Sequence, residues 1–166
     1  VLFMDLLEDD NFRKGPEYFR GTLMLGESLL QLDNERAAKR YLRRVVKGPD
    51  EQLADKAGYL LVEMALNEDD DIALRKLAIR IPRGKTGRTS YALGKGWIRL
   101  GDPQRAISLL DQVPAGDPLF VRSRYYQGVA LTALKRYEAA KEIFRELSNI
   151  TEPDATLQNV RDLSVL

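Results

Sequence analysis

A single period runs through the chain. Leu32, Leu66, Leu100 and Leu134 stand 34 residues apart in an unbroken series. Gly26, Gly94 and Gly128 keep the same register, with Leu60 in the place where a fourth glycine would fall. Ala38, Ala106 and Ala140 follow it, as do Arg20, Arg88 and Arg122, and Tyr91 with Tyr125. Five residue sets in one register mark a repeat of one supersecondary unit. A unit of this size cannot bury its apolar face alone, so its stability must come from stacking on neighbours.

Each unit has the same internal plan. An apolar helical segment ends near the repeating Leu, and a short polar corner follows. A second helical segment then begins near the small Ala. Its stripe is Leu42 and Val45, Leu77 and Ile81, Leu110 and Val113, or Phe144 and Leu147. Spacings of three and four are the period of a helix face. No segment alternates apolar and polar side chains over a strand's length, so the expected fold class is all-α. Asp102-Pro103 and Asp117-Pro118 read as helix starts, a capping acceptor before Pro at the first helical position. Gly15-Pro16 and Pro49-Asp50 mark two more, and Pro153-Asp154 opens a short last helix carrying Leu157, Val160 and Leu163.

The unit boundaries fall at 19–52, 53–86, 87–120 and 121–154. Residues 1–18, with the apolar stretch Val1 to Leu7, form a cap or the remnant of a preceding repeat. Residues 155–166 form a capping helix or the start of a further repeat. The second unit is irregular: it lacks the glycine, and Leu66 to Ala73 is one residue longer than its counterparts. Asp70 or Asp71 is expected to cap the helix after that corner. A start at Val1, without Met or a basic leader, is expected of a piece of a longer protein.

Composition removes several chemistries. The chain has no Cys and no His. Thiol nucleophiles, disulfides, zinc–thiolate sites and Ser-His dyads are therefore absent. No catalytic, cofactor-binding or metal-binding residue is assigned, and the chain reads as a non-enzyme. Lys and Arg number 26 against 25 Asp and Glu, which gives no whole-chain attraction for polyanions and argues against nucleic acid as the partner. No apolar run approaches the roughly 20 residues that span a bilayer. Gly84-Lys85-Thr86 matches the end of a phosphate loop, but the earlier glycine it needs falls at Ile79. Glu68 to Asp71 lacks the alternating ligands of a calcium loop. Trp97 reads as packing.

The pattern resembles the tetratricopeptide repeat family. Unit three carries Leu93-Gly94, Trp97, Gly101, Ala106, Leu110 and Pro118; unit four carries Gly128, Leu131, Tyr137, Ala140 and Phe144. Unit one carries Leu25-Gly26, Leu29, Ala38 and Leu42. The resemblance implies a right-handed α-solenoid of four helix-turn-helix repeats with flanking helices, acting as a non-catalytic protein–protein interaction scaffold. It also implies that the first helices line a partner-binding groove. The groove residues are then Arg20, Glu27, Leu61, Arg88, Tyr91, Lys95, Arg99, Arg122 and Tyr125. Their basic, Tyr-bearing character suits a protein or peptide partner rich in carboxylates. The groove face has no Asn, unlike members that clamp a C-terminal carboxylate with Lys and Asn. Alternative readings are a regulatory or substrate-recruiting domain of a larger enzyme, or an array binding RNA or another anionic polymer. Phrases such as Tyr137-Glu138-Ala139-Ala140 are similar to bacterial members, many of which serve envelope assembly, secretion or motility machines. That similarity points to the periplasm or cell envelope, with the cytoplasm as the alternative.

Overall fold

The structure, a computed structural model, describes residues 9–15, 17–81 and 87–149. Val1–Leu7, Gly84-Lys85-Thr86 and the expected helix after Pro153 lie outside the described residues. The described secondary structure is entirely helical, an all-α fold of the solenoid class. The helices are α1 (Asp10–Lys14), α2 (Tyr18–Gln31), α3 (Glu35–Val45), α4 (Glu51–Asn67), α5 (Asp71–Arg80), α6 (Arg88–Arg99), α7 (Pro103–Leu110), α8 (Phe120–Ala133) and α9 (Tyr137–Ser148). They divide between two compact units, Val1–Lys85 and Thr86–Leu166.

In the first unit α2 packs on α3, α3 on α4 and α4 on α5. In the second, α6 packs on α7, α7 on α8 and α8 on α9. Each consecutive pair α2–α3, α4–α5, α6–α7 and α8–α9 turns on the same corner. A left-handed residue ends the first helix: Asp33 (φ 54°), Asp69 (φ 57°), Gly101 (φ 80°) and Lys135 (φ 60°). The next residue's amide reaches back to a carbonyl five positions earlier, Asn34 to Leu29 at 2.8 Å and Asp102 to Trp97 at 2.8 Å. This double closure satisfies carbonyls that a helix end otherwise leaves without partners. In three of the four pairs the same residue then caps the next helix; Arg136 before α9 makes no such bond. Asn34 accepts from Ala37 N–H, Asp70 from Ala73 N–H and Asp102 from Arg105 N–H. Asp70, and not Asp71, is therefore the cap in the acidic corner. Asp117 works differently from expectation. It accepts from Leu119 N–H at 2.8 Å, and α8 starts only at Phe120, because the Asp117 carboxylate closes a local turn first.

The glycines explain the close helix pairs. A Cβ on Gly26 would lie 2.9 Å from Leu42 Cδ2, and one on Gly128 would lie 2.6 Å from Phe144 Cε1. Ala38, Ala106 and Ala140 are buried beside them. The second pair breaks the counting by 34. Its corner falls at Asp69, three residues after Leu66, where the other corners fall one residue after their Leu. Measured from the corner, the glycine place in α4 is Val62, not Leu60, and the small-residue place in α5 is Leu74, not Ala73. Both are fully buried. The residue sixteen after Val62 is Ala78. Against the Gly–Leu pairs of the other repeats, large and small are exchanged between these two positions.

Candidate functional site

The expected groove residues split between the units. In the first, Arg20 at the start of α2 is exposed and pairs with Glu17 at 3.8 Å. Glu27 faces α4, where Lys56 Nζ lies 2.6 Å from its carboxylate. Leu61 is only 3% exposed. It fills the core of its unit and does not line an open face. The correction has a plain cause, since α4 is buried on several sides and a residue spacing of three and four does not say which face is covered.

The second unit holds the other six. Arg88 and Arg99 occupy the two ends of α6 and both are exposed. Between them α6 is packed round most of its circumference, and Tyr91 is 4% exposed. Tyr91 is therefore not a flat contact surface for a partner. Its ring meets Tyr126 of α8 edge to face, with centroids 5.8 Å apart. The residue of α8 that meets Tyr91 is therefore Tyr126, one place after its repeat equivalent Tyr125. Tyr125 turns towards Phe144 of α9 at 6.0 Å and touches Tyr126 at 5.4 Å. A repeat displaces equivalent residues by one unit, so equivalence is not contact. Burial, and next the neighbouring Tyr126, push the Tyr125 hydroxyl above its ordinary pKa.

Lys95 completes the cluster. Its ammonium lies 5.4 Å from the Tyr91 ring centroid and 5.8 Å from that of Tyr126. Both distances are within the range where a ring face attracts a cation. The rings hold Lys95 half-buried between the exposed Arg88 and Arg99. Residues 88, 95 and 99 fall within a narrow arc of the helix. Arg122, on α8, is half-buried.

A polar ladder beside the cluster was not foreseen. Gln127 is buried, donates to Asp111 at 2.7 Å and accepts from Arg124 at 2.8 Å. Arg124 also pairs with Glu146 at 2.6 Å. Ser123 donates to the Leu110 carbonyl at 2.8 Å. These bonds tie α7, α8 and α9 together and fix how α8 presents its rings. The only sequence signal was the doublet Tyr125-Tyr126, of which one member had no repeat counterpart. Trp97 is half-buried, with the Arg105 guanidinium 4.7 Å above its ring.

Residues 91–150 match the tetratricopeptide repeat family. The structure is similar to the crystal structure of MamA, with a TM-score of 0.60 and 19% identity, over 87% of this chain and 82% of that one. Residues 91–150 are thus tetratricopeptide repeat sequence, and the fold similarity extends over most of the chain. No curated protein matches its sequence. The tetratricopeptide repeats point to a protein–protein interaction scaffold. No helix among the described residues is long and apolar enough to cross a membrane.

Proposed function

We propose that this chain is a non-catalytic scaffold that holds a carboxylate-bearing segment of a partner protein on the α6–α8 side of its second unit. One observation carries the reading. Lys95 is held over the Tyr91 and Tyr126 rings, in line with the exposed cations Arg88 and Arg99. A cation already fixed by aromatic faces loses little freedom on meeting a carboxylate. Aligned positive groups steer an acidic segment and set its register more than they add raw affinity. Tyr91 and Tyr126 serve by positioning Lys95, which makes the contact together with Arg88, Arg99 and Arg122.

The test is a photo-crosslinking residue at position 122 in the full chain, followed by mapping of the captured segment. An acidic segment is expected. The double reversal Arg88→Glu with Arg99→Glu should abolish its capture, with helical circular dichroism unchanged. Undiminished capture by the folded double variant defeats the proposal.

A further inference from the structure

The first unit carries a second, separate concentration of charge. Helix α3 places Arg36, Arg40 and Arg43 along one line, and Lys47 follows just past its end. All four are exposed, and none has a side-chain hydrogen bond or ion pair among the described residues. The buried residues Ala38, Tyr41, Leu42 and Val45 lie on the opposite side of the helix. The stripe therefore faces away from everything α3 packs against.

Helix stability does not account for it. Cations favour the last turn of a helix, which suits Arg43 and Lys47. Arg36 sits in the first turn, where the helix dipole opposes it. Like charges four apart also destabilise an isolated helix. Nor is the stripe balanced locally. Glu35 and Glu68 are engaged with one another and with Lys39.

We infer that this stripe docks an acidic helix of a partner protein, one whose carboxylates recur at spacings of four, three and four. Two helices share one rise per residue, so such a ladder stays in step along the roughly 16 Å from Arg36 to Lys47. Three of the four cations are Arg, whose planar fork matches a carboxylate at two points. No aromatic or long aliphatic side chain stands among them, so the stripe offers nothing to insert into a bilayer or to stack on an unpaired base. The whole chain is close to neutral, which gives no long-range attraction for a duplex polyanion. This inference does not depend on the α6–α8 reading.

The experiment titrates the full chain at low salt with a labelled helical peptide bearing four Glu at those spacings. A control peptide has the same composition with its Glu spread round the helix, and a DNA duplex is a third probe. We expect the matched peptide to bind at least roughly tenfold more tightly than the control, since several aligned pairs add where single exposed pairs contribute little. Arg40→Glu with Arg43→Glu should remove that preference, and Arg88→Glu with Arg99→Glu should leave it intact. Equal binding of both peptides, tighter binding of the duplex, or a preference that survives reversal at 40 and 43 in a folded chain would each overturn the inference.

Discussion

Gly94 and Leu110 occupy one another's space: a Cβ on the glycine would lie 2.5 Å from Leu110 Cγ. Leu110 is 1% exposed and cannot swing out of the way. Two effects therefore oppose each other in Gly94→Ala. Replacing a mid-helix glycine gains up to about 1 kcal/mol in helix propensity. Overpacking costs about 1–3 kcal/mol. At 2.5 Å the clash should prevail, and we expect net destabilisation in urea unfolding. Leu110→Ala alone should cost about 2–5 kcal/mol through its cavity. The double variant should lose less than the two costs combined, because each change relieves the other. Strict additivity would show that the two side chains do not share a site.

The crossing of α4 and α5 offers the converse test. Val62 stands at the glycine place and Ala78 sixteen residues on. Ala78→Leu should destabilise by about 1–3 kcal/mol if that position meets Val62. Adding Val62→Gly should recover part of the loss, converting the pair to the Gly–Leu arrangement of Gly26 and Leu42. Thermal melts of the three variants decide it, and an absence of recovery would refute the exchange.

Asp70, and not Asp71, makes the capping hydrogen bond of α5. Asp70 accepts from Ala73 N–H at 2.9 Å, whereas Asp71 is the first residue of α5. Asp70→Ala should cost about 0.5–2 kcal/mol, as losses of capping residues do. Asp71→Ala should cost less, since it leaves the capping hydrogen bond to Ala73 N–H in place. Equal losses in chemical denaturation would remove the distinction.

Glu35, Glu68 and Lys39 form a small charge cluster joining α3 to the end of α4. The hydrogen bond with Glu68 raises the Glu35 carboxyl above its ordinary pKa. The same bond, and next the one from Lys39, lowers Glu68 below its own. Linkage gives the two groups opposite signs. The Glu68 contribution is present above the unfolded carboxylate value and is lost as pH falls through its depressed folded value. The Glu35 contribution is present below the unfolded value and is lost as pH rises through its raised folded value. Near neutrality Glu35 is thus an unfavourable charge beside Glu68. Glu35→Gln supplies an N–H donor in place of the carboxyl O–H, without that charge. Its melting temperature should equal or exceed that of the parent near neutrality, and the difference should vanish in acid. A clear loss near neutrality would contradict the shared hydrogen bond.

The helical class and the period of 34 were legible because they rest on local physics. Gly26, Gly94 and Gly128 recur because the chain can tolerate a costly mid-helix glycine only where another helix lies close. Leu42, Leu110 and Phe144 recur as their partners, and capping chemistry at Asp102 and Asp70 needs only neighbouring residues. Contacts between helices were decided at a longer range. Counting by 34, with one extra residue in the corner, placed Leu60 and Ala73 in the second repeat, but the corner at Asp69 hands those places to Val62 and Leu74. A two-residue extension of α4 turns every later side chain by half a helical circle, and only the packed pair shows where the helix stops. In the same way the sequence put Tyr91 and Tyr125 at equivalent positions, while packing brought Tyr126 to Tyr91 and set Lys95 between them. Periodicity reports which residues are alike; which of them touch depends on how neighbouring helices cross, and that is settled by the volumes and hydrogen bonds of residues far apart in the chain.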